Sequence, residues 1–138
     1  MGNNILNAIS NIVSFGTYDL KSYASTYLVR INAVGEQLEF YVKDAIADSL
    51  KLKQEKKEEA YSKVFSYLGN QNNPPDMIIK GSDAFEIKKI ESSKAALALN
   101  SSPPKDKLLS SDPRITSACK NCEPDWGEKE LFYVIGNA

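Results

Sequence analysis

The apolar residues of this 138-residue chain change their period once, and a proline-rich loop marks the change. Up to residue 68 they recur at intervals of three and four, the period of a helix with one buried face; from residue 77 they follow strand patterns. Between the two lies Gly69-Asn70-Gln71-Asn72-Asn73-Pro74-Pro75, a composition that neither a helix nor a central strand accommodates. The period therefore divides the chain into a helical part, residues 1–68, and a sheet part, residues 74–136. The order of elements predicts an α/β fold, with α+β as the alternative.

Within the helical part, Ile5, Ile9, Ile12 and Val13 form a first stripe, broken at Phe15-Gly16. Thr17 is placed to cap a second helix with Leu20, Tyr23, Ala24, Tyr27, Leu28 and Ile31 on one face. Asn32 is placed to cap a third, with Val34, Leu38, Val42, Ala45, Ile46 and Leu50 facing the core. Residues 51–63 are charge-dense and of mixed sign, which predicts a solvated helical extension; Glu55, Glu58 and Glu59 largely cancel the field of the lysines. Val64, Phe65, Tyr67 and Leu68 resume burial.

In the sheet part, Met77–Lys80, a Gly81-Ser82-Asp83 turn and Ala84–Ile90 predict a β-hairpin. Residues 100–104 form a polar loop. Asp112-Pro113 suits the start of a short helix, with the aspartate as cap and the proline at the first helical position. Leu131–Ile135 reads as a short buried strand closed by Gly136, with Trp126, Phe132 and Tyr133 in the core. The chain stops soon after, so residues 1–138 are expected to be one incomplete domain, a fragment of a longer protein or a chain completed by a dimer partner.

Composition removes whole classes of chemistry. The chain contains no histidine, which excludes histidine general bases, Ser-His-Asp and Cys-His triads, and imidazole-bound zinc. No apolar run approaches the ~20 residues that span a bilayer, and the start lacks the basic and apolar segments of a secretory signal. Gly2 is followed by Leu6 where a myristoylation motif wants Ser or Thr. Two cysteines are too few for a disulfide scaffold, so a cytoplasmic, reduced protein is expected. With a net charge of −1, any contact with nucleic acid must use a local patch.

Chemistry concentrates at Pro75-Asp76 and Glu86-Ile87-Lys88. Side chains two apart on a strand share a face, so Glu86 and Lys88 point one way while Phe85 and Ile87 point the other, into the core. Asp76, at the start of the partner strand, can come alongside Glu86. Two carboxylates and a lysine together suit a divalent cation; an exposed hairpin with a cross-strand ion pair is the plainer alternative. The chain holds two other acid-x-Lys triplets, Asp19-Leu20-Lys21 and Glu55-Lys56-Lys57, but both lie in helical patterns where residues two apart diverge.

At these residues the chain resembles the PD-(D/E)xK nuclease superfamily and, within it, the NgoPII group of type II restriction endonucleases. The likeness is carried by NPPDMIIKGSDAFEIKKIE, ALALNSSPPKDKLLSSD, CKNCE with the Trp and LFYVIG that follow, and INAVGEQLEFYVKDA upstream. It spans about residues 30–136; the Asn-Ser-Ser-Pro-Pro-Lys and Cys-x-x-Cys-Glu stretches are its most particular parts. The resemblance implies a restriction-endonuclease-like core and Mg²⁺ bound by Asp76, Glu86 and the backbone carbonyl of Ile87. It further implies that Lys88 orients or deprotonates the attacking water and offsets charge on the phosphorane-like transition state. The helix bearing Glu36 and Glu39 corresponds to the superfamily's first core helix, from which Glu39 is the better candidate for a further catalytic acid.

The same resemblance implies DNA contacts from Asn100, Ser101, Ser102, Lys105 and Lys107, with Lys89 and Lys94 adding local positive charge. It implies a homodimer on palindromic double-stranded DNA of a GGCC type, and a modification methyltransferase as genetic companion. Cys119 and Cys122 have the spacing of a structural zinc site but supply two of its four ligands; two reduced thiols are the simpler state. Two further expectations remain open beside site-specific restriction: another PD-(D/E)xK nuclease of repair or phage origin, and a truncated DNA-binding remnant that does not cut.

Overall fold

The computed structural model describes residues 3–16, 20–27, 34–69, 73–90 and 106–137, and these form two compact units that divide between Val64 and Phe65. The first unit is helical: α1 (Ile5–Phe15), α2 (Leu20–Tyr27), α3 (Val34–Ala47) and α4 (Gln54–Val64). Asn4 caps α1 by accepting the Asn7 N–H at 3.0 Å, and Gly16 closes it in the left-handed conformation (φ 74°) that glycine adopts without steric cost. The core gathers Ala8, Tyr23, Leu38, Tyr41, Val42, Ala45, Ile46, Leu50 and Tyr61. Phe15, Tyr23 and Tyr41 meet edge-on within it.

Two expectations for this unit are corrected. The first concerns α1, whose Ile9 and Val13 are exposed along with Leu6, while Ala8 is buried. The side-chain amides of Asn3 and Asn11 donate to the carbonyls of Ile46 and Ala45 at 2.7 Å each, and these bonds turn the Ala8 face toward the end of α3. The second concerns residues 51–63, which do not extend the third helix. Asp48 adopts a positive φ of 55° and ends α3, and a new helix starts at Gln54. That helix is not wholly solvated, because Lys57 and Tyr61 are buried. Thr17, Leu28, Ile31 and Asn32 lie outside the described residues, as do the side-chain placements of Tyr27, Val34 and Glu36.

The second unit is a five-stranded sheet of order β1-β2-β3-β5-β4, made from β1 (Phe65–Leu68), β2 (Met77–Ile79), β3 (Ala84–Ile90), β4 (Lys107–Leu109) and β5 (Glu128–Asn137). The hairpin β2–β3 stands where the period predicts it, with Gly81 at φ 66° in its turn. At the centre β3 and β5 run parallel, with Glu86 opposite Tyr133 and Lys88 opposite Ile135. The protein is thus mixed α/β. Strands β1 and β4 escape the sequence pattern: β1 is four residues long and continues directly from α4, and β4 is three residues long.

Register fixes the two faces of the sheet. Ile78, Ala84, Leu108 and Leu131 share the face of Glu86 and Lys88 and form a core with Ile115 and Cys119, onto which Tyr67, Cys122, Trp126 and Tyr133 pack. The opposite face carries Phe65, Met77, Ile79 and Phe85, all buried, with Phe85 stacked on Phe132 at 5.5 Å. The short helix expected at Asp112-Pro113 begins later. Asp112 Oδ1 accepts the Arg114 N–H at 2.8 Å, an Asx turn, and Thr116 caps α5 (Ser117–Lys120) by accepting the Cys119 N–H at 3.1 Å. The aspartate's side chain is spent on the turn, so the helix takes the next hydroxyl as its cap.

Candidate active site

Asp76 is held by its backbone before its side chain does anything. Its N–H donates to the Phe85 carbonyl at 2.9 Å, continuing the β2–β3 ladder by one residue, and its carbonyl accepts the Gly69 N–H at 2.8 Å. Gly69 is required by this approach, since a Cβ there would lie 2.3 Å from the Pro75 carbonyl oxygen. Pro74-Pro75 contains a cis peptide bond, and Pro75 is buried. Asp76 Oδ2 then accepts the Ile87 N–H at 2.6 Å. The N–H and C=O of one residue point to the same side of an extended strand, so the Ile87 carbonyl lies on the strand edge that Asp76 occupies.

Glu86 and Lys88, two apart on β3, share one face as the period predicts, and Lys88 Nζ stands 3.7 Å from Glu86 Oε2. Both side chains are largely covered, at 13% and 20% exposed. Burial first, and the charge of Asp76 second, push the Glu86 carboxyl up to about 7, against the opposing pull of Lys88 and Arg114. The structure therefore brings together Asp76, Glu86, Lys88 and the Ile87 backbone. Arg114, which the sequence pattern did not single out, bears on Glu86 electrostatically. Its backbone completes the Asx turn of Asp112-Pro113-Arg114, where the sequence pattern predicts a helix start.

Arg114 sits in a dense set of contacts. Its Nε and Nη2 donate to Asp112 Oδ1 and Oδ2 at 3.1 and 2.8 Å, and its carbonyl accepts the Asn73 side-chain amide at 2.7 Å. The loop ahead of Asp76 is thereby tied to the loop after β4.

The remaining candidates are placed as follows. Glu39 lies on α3, in the other unit, 3.9 Å from Lys43. Lys89 follows Lys88 on β3 and so points to the opposite face from Glu86. Lys107, on β4, is exposed and pairs with Glu128 at 3.2 Å and Glu130 at 2.7 Å. Lys94, Asn100, Ser101, Ser102 and Lys105 lie outside the described residues. Cys119 is buried, which pushes its thiol up to about 12, and Cys122 is raised as well. Glu123, beside them, takes Lys129 at 2.9 Å and the Gly81 N–H at 2.9 Å. Among the described residues no three His, Cys, Asp or Glu side chains cluster as metal ligands.

Any cation at the hairpin would therefore rest on two carboxylates and a backbone carbonyl. The donors fit a hard divalent ion: they are all oxygens, two of them charged and mutually repelling in a covered position. Among the described residues no helix is long and apolar enough to cross a membrane.

Comparison with known proteins bears on the same residues. No solved structure matches the chain. It is 44% identical over 133 residues to the type II restriction enzyme NgoPII of Neisseria gonorrhoeae. The match covers 96% of this chain and 47% of that protein, so the chain spans about half the length of the curated relative it matches. Residues 3–138, which include Asp76, Glu86, Lys88 and Arg114, match the NgoPII restriction endonuclease family, and the chain belongs to that family.

Proposed function

We propose that this chain forms the catalytic part of a Mg²⁺-dependent type II restriction endonuclease that hydrolyses phosphodiester bonds at a specific site in unmethylated double-stranded DNA. The observation that carries the proposal is the pairing of Asp76 with the Glu86-Ile87-Lys88 segment within a chain of this family. Asp76, Glu86 and the Ile87 carbonyl would hold the ion. Bound there, Mg²⁺ would supply Lewis acidity toward a phosphate oxygen and lower the pKa of a water.

The chain's own residues account for the rest. The Ile87 N–H fixes the orientation of Asp76. Lys88, close to Glu86 and partly open to solvent, can hydrogen-bond the attacking water and offset the charge that builds on the phosphate oxygens. Covering of the site strengthens both effects, because charges act more strongly away from bulk water. Glu39 is a further candidate acid. Lys89, Lys94, Asn100, Ser101, Ser102 and Lys105 are proposed DNA contacts, and Lys107, held by Glu128 and Glu130, a marginal one.

A homodimer on a GGCC-type palindrome, a cytoplasmic location and a companion DNA methyltransferase complete the reading. The test is digestion of unmethylated phage DNA with Mg²⁺, beside Lys88→Ala protein and an EDTA control. Discrete bands lost in both controls are expected. A smear would indicate a nuclease of repair or phage type, and absence of cutting by a full-length protein carrying this chain would overturn the assignment.

A further inference from the structure

Arg114 has more structure around it than a surface arginine needs. Its main-chain N–H, Nε and Nη2 all bind the Asp112 carboxylate, and its carbonyl takes the Asn73 amide three residues before Asp76. The next residue, Ile115, is buried in the core on the Glu86 face of the sheet. The Asp112 side chain is 7% exposed and that of Arg114 38%. A covered carboxylate thus aims a guanidinium that still reaches solvent. The guanidinium acts on Glu86 electrostatically, together with Lys88.

We propose that Arg114 binds a DNA phosphate at this centre, with Asp112 holding the guanidinium in place. The inference rests on the assignment of Asp76, Glu86 and Lys88 as the cutting centre. The chemistry supports a phosphate rather than a purely structural pair. A guanidinium keeps its charge at any working pH and presents planar donors that match phosphate oxygens, and one carboxylate bound to one edge pre-orders it at little entropic cost. Two carboxylates at the cut repel a polyanion, and Lys88 alone supplies one positive charge against them. A guanidinium held by Asp112 offers the phosphate directed donors, with its charge partly offset by that carboxylate.

The test uses Arg114→Ala, Arg114→Lys, Asp112→Asn and Asp76→Ala in the full-length protein. Binding to a short unmethylated GGCC duplex is measured in EDTA across a salt series, and cutting is measured in Mg²⁺. Arg114→Ala is expected to reduce the salt slope by about one and the cutting rate by about 100-fold. Arg114→Lys should recover the slope but little of the rate, since a point charge lacks the fork. Asp112→Asn should keep the slope and lower the rate, because the charge remains but is no longer aimed.

Parent-like slope and rate in Arg114→Ala, with Asp76→Ala inactive, would overturn this inference alone. Parent-like cutting by Asp76→Ala would overturn the assignment of the centre and this inference with it. Should Arg114→Ala fail to fold, full recovery of cutting in Arg114→Lys would show that the fork is irrelevant and overturn the inference.

Discussion

Two charge clusters, one buried in the helical unit and one half-buried in the sheet unit, are built on opposite plans. In the helical unit Asp44 and Lys57 are both fully buried and 2.5 Å apart. Asp44 also accepts from the phenols of Tyr23 and Tyr61 and, at 2.8 Å, from the Ser49 hydroxyl. Lys57 spends its other donors on the carbonyls of Ser49 and Leu50, at 2.7 and 3.2 Å. Every lone-pair direction of the carboxylate and every ammonium proton thus has a partner. Burial and the Asp44 charge hold both phenols well above the ordinary tyrosine range, so they remain donors. In the sheet unit Asp76 and Glu86 repel as like charges, with Lys88 3.7 Å from Glu86 rather than in close contact. A closed network serves the fold; a cluster left with excess negative charge is prepared for a cation and a substrate.

That contrast predicts opposite consequences for two lysines. Lys57→Met should destabilise the protein by about 3–5 kcal/mol, the usual cost of leaving a buried partner uncompensated. Lys88→Met should lower cutting by about 1,000-fold while shifting stability by less than about 1 kcal/mol. Urea denaturation and a rate measurement on both variants separate the two plans. A large loss of stability at Lys88 would mean that its cluster, too, is structural. Replacing Lys57 together with Asp44 by apolar residues should recover much of the lost stability, because no orphaned charge is left.

A smaller effect is expected at Gly69, which touches the second cluster only through backbone. An added Cβ must displace the Pro75 carbonyl from 2.3 Å, and Asp76 would move with it. Gly69→Ala should cost about 1–3 kcal/mol of stability and at least about tenfold in cutting, because small misplacement at a reacting centre is expensive. Unchanged cutting would show that the tight packing of the proline loop does not position Asp76.

Glu86 gives the comparison a pH dependence. Its carboxyl is raised from the usual 4.5 to about 7, so the metal-free folded state holds this proton more tightly than the unfolded chain does. The contribution to stability is complete below about 4.5 and is lost as pH rises to about 7. Denaturation in EDTA should therefore show a decline across that window that Glu86→Gln removes. Added Mg²⁺ should stabilise the protein more at pH 8 than at pH 5, since the ion competes with the proton. Equal stabilisation at both values would detach Glu86 from the ion.

The sequence reveals these clusters unequally, for physical reasons. A strand puts residues two apart on one face, so Glu86-Ile87-Lys88 announces its geometry, and the helical stripes of α2 and α3 do the same through Tyr23, Leu38, Val42 and Ile46. Lys57 sits in a charge-dense run whose composition implies solvent; only the position of Asp44, thirteen residues earlier, makes it a core residue. The α1 stripe misleads because two asparagine side chains, rather than its apolar residues, fix the rotation of the helix. Arg114 joins the site through a turn after β4 and a hydrogen bond from Asn73, contacts 41 residues apart that no local pattern encodes.

The smallest effect should come from Lys107, which shares a strand pair with the site unit but belongs to neither cluster. It is exposed, and Glu130 and Glu128 on β5 raise its affinity for its proton through direct hydrogen bonds. A phosphate approaching this ammonium must compete with two carboxylates already there, and would leave them facing a polyanion. Lys107→Ala should thus lower the salt slope of DNA binding by well under one, less than Arg114→Ala, and leave the cutting rate near that of the parent. A full unit of slope lost at Lys107 would show that DNA displaces both glutamates, and the β4–β5 edge would then join the DNA-binding surface.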